Sequence, residues 1–176
     1  MLDVALALAA DWPPPAPDQD WDALAARAVA TALATTPHAA LAQGGGAIEI
    51  SVRLTDDAEM QALNAQWRGK DRPTNVLSFP SFPPEQIAGL ISEGDAEILL
   101  GDVVLGLETC LREAADKGLA LAAHASHLVV HGMLHLLGYD HGDDAVAQAM
   151  EDRERAAMAA LGFDDPYGLD GQLLNQ

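Results

Sequence analysis

Apolar and polar residues alternate most cleanly from Ile48 to Leu54, where Ile48, Ile50, Val52 and Leu54 are separated by Glu49, Ser51 and Arg53. A period of two marks a strand with one buried face, so the pattern predicts a strand here. Alternation at Leu2, Val4, Leu6 and Leu8 predicts another over residues 2–8. Val76 to Phe79, closed by Pro80, reads as a short extended segment. Leu99–Leu100 and Val103–Leu105 bracket Gly101–Asp102 as a further buried strand. Elsewhere the spacing becomes helical. Asp20 is placed to cap a helix through Trp21, Leu24, Ala28 and Leu33 that stops at Pro37. Asp56 and Glu59 open a helix with Met60, Leu63 and Trp67 along one face, and Gly69 ends it. Further helices are predicted through Leu107, Leu111 and Ala115 with an end at Gly118, from about Leu119 to Leu137, and from about Asp144 to Leu161.

Three stretches break the periodicity. Trp12 to Pro17, with four prolines, reads as a stiff linker. Residues 81–97 mix prolines, glycines and acids and are expected to form a surface insertion. Residues 163–176 are expected to be a loose tail. The pattern as a whole predicts one domain over residues 1–176 with an α+β fold, an α/β sandwich. Its small, mixed, four-stranded sheet would pack against about five helices.

Composition narrows the functional classes. The chain has 176 residues, is 49% hydrophobic and carries a formal charge of −18. Such an acidic body argues against sequence-independent nucleic-acid binding, which depends on lysines and arginines releasing counterions; no DNA partner is expected. There is a local exception. Three of the nine basic residues, Arg68, Lys70 and Arg72, fall within five positions. A single cysteine, Cys110, excludes an internal disulfide framework. The apolar run Leu2–Ala10 is too short to span a bilayer and has no basic residue before it. No membrane association is expected, and a cytoplasmic location is.

Half of the six histidines lie in one eleven-residue stretch, His131 to His141, H-G-M-L-H-L-L-G-Y-D-H. His131 and His135, four apart, share one helix face and can reach the same metal ion. On a continuous helix His141 would be roughly 15 Å from His131 along the axis. Gly138 offers a left-handed break that turns the chain back. Three neutral nitrogens with a fourth position open is the pattern of a catalytic zinc site. The helix that carries His131 and His135 is thus the central one, and one zinc ion per chain is expected. The spacing matches the ligands and glycine of the metzincin pattern H-E-x-x-H-x-x-G-x-x-H. Gly132, however, occupies the position of the general-base glutamate, so ordinary peptide hydrolysis is not expected. His124 and His127 fall on the same side of the helix. His127 is a candidate for orienting a ligand, and Asp140 for bonding either an imidazole or the backbone of the turn.

The blocks W-R-G-K-D-R-P-T-N-V-L-S-F-P, L-G-D-V-V and H-G-M-L-H-L-L-G-Y-D-H resemble, in this order, the YbeY family of bacterial endoribonucleases and ribosomal RNA maturation factors. The resemblance covers roughly residues 50–162. It implies a zinc-bound protein that cuts single-stranded RNA. It also implies a part in maturing the 3′ end of the small-subunit rRNA and in ribosome quality control. Precursor rRNA, the small ribosomal subunit and its assembly factors would be partners. The metal ligands and catalytic histidines would be His131, His135 and His141, with Arg68 as the catalytic arginine. Lys70 and Arg72 are expected to guide the RNA backbone beside Arg68. A metallopeptidase-like hydrolase and a non-catalytic assembly factor with a structural metal are the other readings.

Overall fold

The computed structural model describes residues 1–91 and 97–168. Its frame is the strand that alternates most clearly, β2 (Ile48–Thr55). Ile48, Ile50, Val52 and Leu54 are all buried and form the floor of the main core. β1 (Leu2–Leu8) pairs with β2 in parallel, Leu2 opposite Ile48 and Leu8 opposite Leu54. Parallel neighbours need a crossover, and α1 (Trp21–Ala34) supplies it, with the Asp20 carboxylate accepting from Ala23 N at 2.7 Å as its cap. α2 (Asp57–Arg68) follows β2; Asp56 accepts from Glu59 N, and Gly69 closes the helix at φ +66°.

β3 (Val76–Pro80) runs antiparallel to β4 (Ile98–Gly106), and the sheet order is β1-β2-β4-β3. β3 is therefore an edge strand. Opposite β2, β4 carries one additional residue: Glu49 faces Leu99 and Ile50 faces Gly101. Only a glycine fits at that bulge. A Cβ on Gly101 would lie 2.5 Å from the Phe79 carbonyl oxygen and 2.7 Å from Leu136 Cδ2.

Successive strand residues face opposite sides, and β4 uses both. Val103 belongs to the main core, under α5 (Leu121–Leu136), with α1 and α6 (Asp144–Ala160) beside it. Val104 turns to the other face and joins Met60 of α2 with Leu77, Leu63 and Phe79. α4 (Leu107–Asp116) contacts both α2 and α5. The result is the expected α+β fold, with a mixed four-stranded sheet and six α-helices among the described residues, one of which, α3 (Pro84–Ile87), is a single turn.

Three stretches without periodicity turn out to have packing roles. The proline linker is pinned by its flanking tryptophans. Trp12 is buried, meets Trp21 edge-on at 5.3 Å and donates to Thr55 O, while Trp21 donates to Pro13 O. Residues 81–97 are not simply a surface insertion. Ile87 is fully buried in the main core, with Phe82 and Leu90 packed against it; residues 92–96 lie outside the described part. The segment from residue 163 is also tied down in its described part, since Phe163 packs against the core and Tyr167 is half-buried. Among the described residues no single helix is long and apolar enough to cross a membrane.

Candidate metal centre

α5 presses most of its length against the core, with Ala125, Leu128, Val129, Val130, Met133, Leu134 and Leu136 buried. It lies close to the sheet because residue 132 is glycine. A Cβ there would stand 2.6 Å from Val103 Cγ1 and 3.4 Å from Ser78 Oγ. The position that holds the base in zinc peptidases thus faces the sheet and has no space for a side chain.

The helix ends in a Schellman turn. Gly138 N donates to His135 O at 3.0 Å, Tyr139 N donates to Leu134 O at 3.1 Å, and Gly138 has φ +92°. Pro84 of α3 packs on the turn, 2.7 Å from where a Cβ on Gly138 would be. The reversal brings His141 back to the helix. Its ring stacks on His131 with centroids 5.2 Å apart and lies 5.4 Å from His135. One nitrogen from each of His131, His135 and His141 lies within 4.8 Å of the other two. Three imidazoles gathered in this way can hold a metal ion, as the Gly138 break predicted.

Hydrogen bonds fix how the rings point. His131 Nδ1 is 2.7 Å from Glu154 Oε1, and His135 Nδ1 is 2.8 Å from the Tyr139 carbonyl oxygen. A carbonyl only accepts, and so does an ionised carboxylate, so each Nδ1 carries the proton. In the neutral rings both Nε2 atoms then present lone pairs, and these two atoms are 3.0 Å apart. Two acceptors converging at that distance repel one another unless a cation lies between them or a ring takes a second proton. The donor set fits a divalent metal such as zinc, which takes neutral imidazole ligands. Burial and the neighbouring His131 hold the His135 pKa below its ordinary value, which keeps that ring neutral.

Glu154 organises this arrangement, and the sequence reading did not find it. It sits fully buried on α6. Oε1 accepts from His131 and from His127 Nε2 at 3.0 Å, and Oε2 accepts from the Tyr167 hydroxyl at 2.8 Å. Burial by itself would raise its pKa; the hydrogen bonds from His127 and His131 outweigh that and lower it to about 2. The Tyr167 phenol moves upward, through burial and the adjacent carboxylate. One sequence signal was present. Met150, Glu154, Ala157 and Met158 share the buried side of α6, and a carboxylate on an apolar stripe needs partners.

The other candidates have separate positions. His127 reaches Glu154 rather than the triad's convergent nitrogens. Asp140 bonds the backbone of the turn, accepting from His141 N at 2.7 Å. His124 is buried away from the triad, paired with Glu113 at 2.7 Å, which also accepts from Asn75. Arg68, Lys70 and Arg72 are exposed where α2 gives way to a turn. That turn is stapled by buried Asn64, whose Nδ2 donates to Arg72 O and whose carbonyl accepts from Lys70 N. Among the described residues their side chains make no hydrogen bond or ion pair, so none links them to the histidines. They lie at the end of the helix packed on the opposite sheet face, and β3 is the strand between the two.

The family model of endoribonuclease YbeY matches residues 16–162. The chain belongs to the YbeY endoribonuclease family. It is 54% identical to endoribonuclease YbeY of Rhizorhabdus wittichii over 169 residues, 96% of this chain and 98% of that one. Against the same protein of Sphingopyxis alaskensis the identity is 56% over 167 residues, covering 95% and 98% of the two chains. Its fold is similar to the solution structure of TM1509 from Thermotoga maritima, with a TM-score of 0.51 and 19% identity over 90% of this chain and 91% of that one. Glu154 falls within the family match, whereas Tyr167 lies beyond it.

Proposed function

We propose that this chain is a zinc-dependent endoribonuclease specific for single-stranded RNA. Its role would be maturation of the 3′ end of small-subunit rRNA and ribosome quality control, in the cytoplasm, with the small subunit or assembly factors as partners. The observation that carries the reading is the convergence of three imidazoles within 4.8 Å in a chain matched to the YbeY family across that segment.

His131, His135 and His141 would hold one zinc ion. Bound there, zinc supplies Lewis-acid polarisation of a phosphoryl oxygen and activation of a nucleophile at neutral pH. The chain's own residues do the rest. Glu154 and the Tyr139 carbonyl keep both Nδ1 protons in place and so aim the two Nε2 atoms at one point. Arg68 offers a planar fork of donors to the phosphate and stabilises the charge that grows on its oxygens. Lys70 and Arg72 attract the flanking backbone. The acidic remainder of the surface disfavours indiscriminate binding. Position 132, closed against Val103, supports RNA over peptide as substrate, because no side chain there can serve as a peptidase base.

The test compares wild type with Arg68→Ala and His131→Ala on purified single-stranded RNA. Both variants should lose cleavage. Undiminished cleavage in both would attribute the activity to a contaminating nuclease and overturn the reading. Chelation separates a catalytic from a structural metal: the fold should survive while cleavage stops.

A further inference from the structure

Trp67 is 64% exposed, whereas Trp12 and Trp21 are 5% and 6% exposed. Leaving an indole in water forfeits burial that elsewhere in this chain is used fully. The ring is not loosely held. It meets Phe79 edge-on, with centroids 6.2 Å apart, and Phe79 is itself anchored in the small core under α2. The neighbouring turn is fixed by Gly69 and Asn64. Arg68, Lys70 and Arg72 follow directly on Trp67 in sequence, all exposed and without internal acceptors among the described residues. The acid among them, Asp71, accepts a hydrogen bond from Gln61 Nε2 at 2.9 Å. The chain's charge of −18 makes this group of cations the natural place for a polyanion.

The position relative to the histidines is set by Gly101. The Phe79 carbonyl and the Leu136 side chain meet at this residue, at 2.5 and 2.7 Å from its Cβ direction. Leu136 directly follows His135. The aromatic pair and the imidazoles therefore lie on the two sides of the same end of β3, whose outer edge is unpaired among the described residues.

We propose that Trp67, backed by Phe79, is a base-stacking platform for the RNA strand. A strand crossing the open edge of β3 stacks one base on the indole, and the adjoining phosphates lie on Arg68, Lys70 and Arg72. The far side of the edge presents the next phosphates to the histidines. The preference for single strands then has a structural source, since a base held in a duplex has no free face to offer. The substrate class rests on the ribonuclease reading above. Stacking is sequence-tolerant, so this platform sets the position of the strand rather than its sequence.

The test uses a single-stranded 2′-O-methyl oligonucleotide, with its length checked after each titration so that binding is read on intact strand, and follows tryptophan emission. Saturable quenching is expected in wild type. In Trp67→Phe the quenching should vanish, while binding measured by anisotropy of a labelled oligonucleotide persists. Trp67→Ala should bind about 5- to 150-fold more weakly. A duplex of the same sequence should not quench. Binding without any change in emission, or equal affinity in Trp67→Ala, overturns the platform. Quenching by a polyglutamate peptide but not by the oligonucleotide overturns it in favour of an acidic protein partner. Failure of the ribonuclease reading is distinguishable. Quenching without cleavage of ordinary RNA would leave the platform intact. Cleavage with unchanged KM in Trp67→Ala would leave the ribonuclease intact and remove the platform.

Discussion

The Glu154 carboxylate lies 2.7 Å from His131 Nδ1, and this contact turns His131 Nε2 towards His135. A buried acid on α6 thereby decides the tautomer of a histidine on α5. Glu154→Gln preserves volume but can present its amide NH2 where an acceptor is needed. Removing a partner that orients a metal-binding histidine typically costs 10–100-fold in affinity, and about that loss of zinc affinity is expected. Competition with a chromophoric chelator measures it. Unchanged affinity would mean that Glu154 does not orient the ligand.

The same carboxylate makes stability depend on pH. Its pKa is about 2 when folded, against an ordinary value of 4.5. The unfolded chain therefore takes up this proton first as pH falls. The stabilisation is complete above about pH 4.5 and is lost as pH drops towards 2. Urea midpoints of the metal-free wild type should fall more steeply across that window than those of Glu154→Gln.

Tyr167 closes the network from outside the segment matched to the family, donating to Glu154 Oε2 at 2.8 Å. A hydrogen bond to a charged group contributes about 1.5–3 kcal/mol. Tyr167→Phe should lower the thermal midpoint accordingly. It should also make the chain near residue 167 more sensitive to proteolysis, while the secondary structure seen by circular dichroism is retained.

Gly132→Ala adds one methyl group 2.6 Å from Val103 Cγ1. Overpacking of this kind costs about 1–3 kcal/mol. Val103→Ala makes room, so in the double variant the two losses should add to less than their sum. Denaturant unfolding of the four proteins checks this. Strict additivity would show that the close approach of helix and sheet carries no strain.

The legible parts of the chain were those set by local spacing. Alternation gave β2 to within one residue, and the two histidines with their glycine break gave the triad, because a helix and a Schellman turn are both local. Glu154 was not legible. It is 23 residues from His131 in sequence and reaches it only because α6 packs on α5. Ile87 was hidden for a different reason. Prolines and glycines around it erase any period, yet a single turn, Pro84–Ile87, is enough to deliver one side chain to the core. Arg68, Lys70 and Arg72 were legible as a cluster, but their relation to the histidines depends on sheet order, which spacing does not encode.

The closeness of α5 to the sheet also constrains ancestry. A glutamate at position 132 would have to displace Val103 and Ser78 before it could act. Exchange between this histidine arrangement and a peptidase of the same spacing is therefore blocked by the strand beneath the helix, and the two chemistries would be expected to stay apart even under selection for the other.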